Sequence, residues 1–175
     1  GVVGLLRNGD GPTIMLRADM DALPVKEATG LPYASTITGT DREGKTVPVM
    51  HACGHDMHVT WLMGVASLFA LTRDAWRGTL MLVFQPAEET GQGAQAMIDD
   101  GLFEKFPKPD AILAQHVMVG PSGLLSSRSG VITSAGDSLQ IRLFGRGAHG
   151  SMPQSSIDPV VMAAATVLRL QTIVS

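Results

Sequence analysis

The chain has 175 residues, 45% of them hydrophobic and 17% charged, and a net charge of −3, so it can bury a core and fits one domain, or one domain and part of a second. No cluster of Lys and Arg marks a nucleic-acid surface, and no apolar run approaches the ~18 residues of a membrane span. The single cysteine excludes an intrachain disulfide framework and fits a reducing, cytoplasmic setting. There is no signal peptide, but the chain begins with Gly1 rather than Met, so that absence carries little weight.

In chain order, Gly1 to Arg7 and Thr13 to Ala18 read as strands, and Asn8-Gly9-Asp10-Gly11 between them reads as a hairpin turn. Asp19 to Pro48, rich in Asp, Gly, Pro and Thr, reads as a long irregular segment of the kind that carries function. Val59 to Leu71 is apolar nearly all round and predicts a buried helix. Gly78 to Phe84 is a continuous apolar run, as expected of a central strand covered on both faces. Gly93 to Asp100 predicts a short helix closed by Gly101, and Ala111 to Gln115 another buried strand. This alternation implies an α/β fold, a mainly parallel sheet with helices on both faces.

The pattern changes near Ser134. Ser138 to Phe144 alternates polar and apolar, as a half-exposed antiparallel strand does. A turn cluster, Gly145 to Gly150, follows. Asp158-Pro159 then opens a helix running from Val160 to about Val174. We divide the chain into residues 1–133 and the start of a second domain, 134–175. One strand and one helix cannot bury a core alone, so the chain reads as truncated.

Met50 to His58, M-H-A-C-G-H-D-M-H, holds the lone cysteine and three of the five histidines. Cys53 and His55 can reach one metal ion if the backbone bends at Gly54. The same residues fit a small buried thiol beside loop histidines, or a thiol nucleophile with a histidine base. Asp56 is positioned to orient a ligand, while His51 and His58 fit supporting roles. Glu88 and Glu89 follow the apolar strand, so that one can bind a metal while the other handles a proton. His116 ends the next strand. Arg17-Ala18-Asp19-Met20-Asp21 puts acids at a third strand end, and His149 lies on a flexible turn. Each signal alone also fits a bland reading, a solvated acidic turn or a core histidine. Together, Asp19/Asp21, Cys53/His55, Glu88/Glu89 and His116 fall on one rim of a parallel sheet. A mixed O/N/S set suits zinc or another late first-row divalent ion rather than calcium or magnesium.

The motifs R-A-D-M-D-A-L-P, M-H-A-C-G-H-D-M-H, F-Q-P-A-E-E and G-R-G-A-H-G-S-M-P occur in that order between Arg17 and Pro153. The combination strongly resembles the aminoacylase-like metallopeptidases, in the amidohydrolase branch with hippurate hydrolase, N-acetyl-diaminopimelate deacetylase and the plant indole-acetyl-amino-acid hydrolases. The resemblance implies a zinc-peptidase-like catalytic domain with an inserted α+β lid that often dimerises. It implies two divalent metal ions, zinc or manganese first and cobalt or nickel next. It also implies hydrolysis of the amide bond of N-acyl amino acids. By motif position Cys53, His55, Glu89 and His116 are metal ligands, Glu88 is the general base, and Asp19 is an active-site acid that orients ligands. His149 matches the lid histidine that reaches the substrate, often from the partner subunit. In the family the catalytic domain resumes after the lid and supplies a last histidine ligand, so this chain is expected to be an impaired fragment by itself. The alternatives carried forward are a cysteine hydrolase using Cys53 and a non-catalytic module that keeps the fold.

Overall fold

The computed structural model describes residues 1–132 and 136–173. Its main sheet has four strands, β1 (Val2–Asn8), β2 (Thr13–Asp19), β5 (Gly78–Gln85) and β6 (Ala111–Ala114), in the order β1-β5-β2-β6. β5 runs parallel to β2, and β2 parallel to β6, while β1 lies antiparallel on the far edge of β5. The expected α/β fold with a mainly parallel sheet flanked by helices is therefore present.

The strands sort their side chains by parity, as a pleat must. Odd positions Val3, Leu5, Met15, Met81 and Val83 pack with Met97, Leu102 and Phe106 on one face, under α2 (Gly93–Asp99) and α3 (Leu102–Lys105). Even positions Leu6, Ile14, Leu16, Ala18, Leu80, Leu82 and Phe84 pack on the other face against Leu62, Val65, Ala66 and Phe69 of α1 (His55–Leu71). Those four helix positions follow the spacing of one helical stripe. His55 and His58 continue the same stripe toward the N-terminus, which is why α1 carries both rings into the sheet rim.

Four expectations are corrected. Asn8 to Gly11 does turn the chain, but β1 and β2 form no hairpin, because β5 lies between them. β5, apolar on both faces, takes the place between them, where both of its faces are covered. α1 begins at His55 rather than Val59, and it is not buried all round. The sheet takes one stripe and leaves Met63, Leu68 and Leu71 exposed, Leu71 by 85%. β6 is an edge strand whose residues are all exposed, not a buried one. Ser138 to Phe144 forms no strand, since alternation without a pairing neighbour does not suffice and none of the described residues pairs with it. The irregular segment after Asp19 contains a small unforeseen hairpin, β3 (Thr38–Thr40) with β4 (Thr46–Pro48).

The chain divides into two compact units, Gly1–Ser122 and Gly123–Ser175. The expected boundary at 133/134 and the expected helix end at Val174 lie outside the described residues. In the second unit Arg146 and Ile157 exchange backbone hydrogen bonds, both 2.9 Å. Asp158 then caps α4 (Pro159–Gln171), its Oδ1 accepting from Val160 N at 2.8 Å. No helix among the described residues is long and apolar enough to cross a membrane.

Candidate metal centre

Because β2, β5 and β6 are parallel, the loops at their carboxyl ends share one rim. β2 delivers Asp19 and, two residues on, Asp21. The loop after β5 delivers Glu88 and Glu89, and that after β6 delivers His116. A bridge between Leu23 and Met50, with backbone bonds of 2.9 and 3.1 Å, brings the Cys53 segment and the start of α1 to the same place.

Two glycines show how tightly the loops close. Gly54 enters α1 with φ +78°, and a Cβ there would stand 2.4 Å from Val117 Cγ1. A Cβ at Gly93 would stand 1.5 Å from the Pro86 carbonyl oxygen. That closure folds the glutamate loop into a compact turn. Ala87 adopts φ +51°, and its carbonyl accepts from Gln92 N at 3.2 Å and Gly93 N at 3.0 Å. Positive φ is uncommon outside glycine, and here three residues of hydrogen-bonded loop hold it in place.

The ligand atoms converge. Cys53, His55 and Glu89 bring one donor atom each within 4.8 Å of one another, and so do Asp19, His55, His58 and His116. Cys53 Sγ lies 3.5 Å from His116 Nε2. His55 Nε2 lies 3.8 Å from Asp19 Oδ2, 3.8 Å from Glu88 Oε2 and 3.9 Å from Glu89 Oε1. The four residues expected as ligands are thus brought together with Glu88 and Asp19. His149 belongs to the second unit, where its Nδ1 accepts from Ser151 N at 3.2 Å and bonds the Ser151 hydroxyl at 2.8 Å. His51 and Asp56 are exposed.

The hydrogen bonds assign the ring tautomers. His55 Nδ1 donates to the Asp21 carbonyl at 3.0 Å and lies 3.2 Å from Asp21 Oδ1. In the neutral ring this leaves Nε2 with the lone pair, buried without a hydrogen-bond partner among the described residues. His116 Nδ1 donates to the Val117 carbonyl at 2.7 Å, which turns the Nε2 lone pair toward Cys53 Sγ, its partner at 3.5 Å. A buried ring nitrogen without a partner is costly unless something electron-poor meets it, and a divalent cation does so. The residues present therefore fit a metal.

Asp21 is the residue that sequence reasoning undervalued. Its Oδ2 accepts from Glu89 N at 3.0 Å while its Oδ1 and carbonyl hold His55, so one aspartate fixes two of the expected ligands. It fills the place offered to Asp56. A signal for it was available: a ligating histidine commonly gives its second N–H to a carboxylate or carbonyl, and Asp21 is the next acid beyond the strand end.

Asp19 is fully buried. Its Oδ1 accepts from His58 Nδ1 at 2.5 Å and its Oδ2 from Arg17 at 2.8 Å. Burial pushes its carboxyl upward, but the His58 hydrogen bond and the Arg17 guanidinium outweigh that and hold it below its ordinary value. Burial pushes the Cys53 thiol up, and the carboxylates of Glu89, Glu88 and Asp19 add to the shift.

Residues 15–171 match the profile of peptidase family M20/M25/M40. The chain belongs to this family. Two M20/M25/M40 relatives give the scale of the likeness. Hippurate hydrolase of Campylobacter jejuni is 45% identical over 100% of the chain and 43% of that protein. N-acetyl-L-cysteine deacetylase of Bacillus subtilis is 42% identical over 95% of the chain and 37% of that protein. The chain thus spans about two fifths of the length of these curated relatives. Among solved structures, a dinuclear metal-binding M20 peptidase of Bacillus subtilis superimposes with a TM-score of 0.55 at 37% identity, over 65% of this chain and 29% of that one. The resemblance read from the motifs is borne out.

Proposed function

We propose that this chain supplies the metal site of an amidohydrolase that cleaves the amide bond of N-acyl amino acids, releasing a carboxylic acid and an amino acid. The observation that carries the proposal is the buried, unpartnered Nε2 of His55, facing the carboxylates of Asp19, Glu88 and Glu89. Hippurate and N-acetylcysteine, named for the two relatives above, are both N-acyl amino acids, which supports the substrate class.

Cys53, His55, Glu89 and His116 would hold two divalent ions, zinc or manganese, and the dinuclear M20 structure supports the pair. Metal in such a site lowers the pKa of water toward neutrality and polarises an acyl carbonyl. Glu88 is the general base. Its motif position gives it that role and its Oε2 stands 3.8 Å from His55 Nε2, so it takes the proton of the attacking water and returns it to the leaving amine. Asp19 positions the histidine side of the site through His58. His149 would reach the substrate carbonyl or carboxylate; residues 134–175 would be the start of a lid that pairs two subunits, and 1–133 the first part of a catalytic domain. A cytoplasmic setting suits the free thiol.

Cys53 suits a ligand better than a nucleophile. Burial and three carboxylates disfavour its thiolate, and only a nearby cation reverses that balance.

Elemental analysis of the whole protein, combined with an N-acyl amino acid panel, tests the reading. Glu88→Gln should retain the metal while hydrolysis drops by about 100-fold or more. Turnover that survives chelation, or a Glu88→Gln variant as fast as the unmodified enzyme, would overturn it.

A further inference from the structure

We propose that His58 is a positioning residue which ties the carboxylate of Asp19 to the peptide N–H of Val117 and thereby sets where His116 presents its Nε2 beside Cys53. The inference rests on the metal-site reading above and adds to it a residue that binds no metal.

His58 Nε2 accepts from Val117 N at 2.8 Å, so that nitrogen carries no proton. The proton is on Nδ1, which donates to Asp19 Oδ1 at 2.5 Å. Both nitrogens are occupied, with opposite polarity, and the ring is held neutral in a single tautomer. One of its ring nitrogens lies in one of the two ligand-atom clusters, yet no lone pair remains to offer a cation. Geometry alone would count four candidates in that cluster; hydrogen-bond polarity removes His58.

What the ring grips is informative. Val117 is the residue whose carbonyl orients His116, accepting its Nδ1–H at 2.7 Å. A relay therefore runs from Arg17 to Asp19, His58, Val117 and His116, anchored at its far end where Arg17 Nε donates to Gln85 Oε1 at 2.9 Å on β5. His58 is 1% exposed and sits on the stripe of α1 that packs on the sheet, so the relay starts from the rigid part of the fold. His116 has no such footing of its own. It follows the exposed edge strand β6 and is itself exposed. The 4.5 Å edge-on approach of the two rings leaves His116 little freedom to tilt while His58 holds Val117.

The two polar links can be removed separately. In His58→Gln the side-chain carbonyl can stand near the Nε2 position and accept from Val117. In His58→Asn the amide can stand near Nδ1 and donate to Asp19, with nothing left for Val117. The full chain, metal-free, is titrated with cobalt, and the thiolate-to-cobalt charge-transfer band reports Cys53 and its neighbours. His58→Asn, which releases Val117, should bind cobalt about 10- to 100-fold more weakly, with a weakened band, while His58→Gln, which keeps Val117 but loses the Asp19 anchor, should fall between it and the unmodified chain. Equal behaviour of the two variants, when the melting curves of the metal-free proteins show both folded, would overturn the proposal.

A measurement on the unmodified chain covers the case in which a variant fails to fold. Ring ¹⁵N shifts should report Nδ1 of His58 protonated and Nε2 unprotonated, unchanged on adding zinc, while the Nε2 shifts of His55 and His116 move. Movement of His58 Nε2 would make it a ligand and overturn the inference alone. If no ring moves and cobalt is not bound, the metal-site reading falls, and this inference falls with it.

Discussion

The two histidines expected as ligands stand on very different foundations. His55 lies in the first turn of α1, fully buried on the stripe that meets the sheet, and takes its orientation from Asp21. His116 lies past an edge strand, exposed, and takes its orientation from a backbone carbonyl one residue away. One half of the centre is thus built on the hydrophobic core and the other hangs on polar links. Core packing fixes geometry within tenths of an ångström because a displaced side chain loses many contacts at once. A hydrogen-bonded loop has to reach comparable precision through directional bonds, each worth only ~1 kcal/mol net. The core-built half should therefore fail abruptly when overfilled, and the loop-built half gradually as links are cut.

The strongest way to break this contrast is Gly93→Ala. Its Cβ would overlap the Pro86 carbonyl, a backbone atom that cannot rotate away. The glutamate loop would have to open, at a cost of about 3 kcal/mol, read as a lowered denaturant midpoint, and with loss of both glutamates from the site. A stability like that of the parent chain would show that the loop is far less tightly closed. Next comes Asp21→Ala, which leaves His55 Nδ1 only the backbone carbonyl of residue 21 and takes the side-chain acceptor from Glu89 N. Zinc affinity, read by competition with a chelator dye, should fall about 10- to 100-fold while the melting temperature changes little. Unchanged affinity would mean that α1 packing and the residue 21 carbonyl suffice to orient His55.

Gly54→Ala probes the loop-built half. Its φ of +78° costs an alanine about 1–2 kcal/mol, and the new methyl meets a side-chain methyl of Val117 rather than backbone. Stability should fall by that amount, and the Cys53–His116 pair should feel it as weakened cobalt charge transfer. The smallest effect expected is that of acid. Asp19 has a folded-state pKa below its ordinary 3.8, so its contribution is complete above about 3.8 and is lost as pH falls through the lower folded value. In the metal-free protein Asp19→Asn should flatten that part of the stability–pH curve. An unaltered slope there would show that Arg17 and His58 do not favour its ionised form.

Much of the sheet and the ligand cluster was legible in the sequence because strand ends and apolar runs are local signals. Gly78 to Phe84 reads as a central strand, and acids or histidines following parallel strands share one rim. The misreadings have the opposite character. Asn8-Gly9 carries hairpin chemistry, yet the partner of β1 is 70 residues away, and no local pattern encodes it. The start of α1 was placed too late because histidines interrupt an apolar run even when they face inward. Asp21 and His58 were visible as residues, but their roles depend on which hydrogen bond each ring nitrogen makes, and that polarity is absent from composition and spacing alike.

The position of β5 between β1 and β2 also sets the order in which the molecule can assemble. The register pairs Asn8 with Gly78 and Thr13 with Thr79. On a ribosome, the first two strands therefore emerge and wait, and their turn invites them to pair with each other in an arrangement that must come apart before β5 can enter. Closing the sheet requires long-range contacts and a large loop-closure entropy, which slows folding. The apolar faces of β1 and β2 stay uncovered throughout that wait, and this nascent interval is where aggregation has its opening.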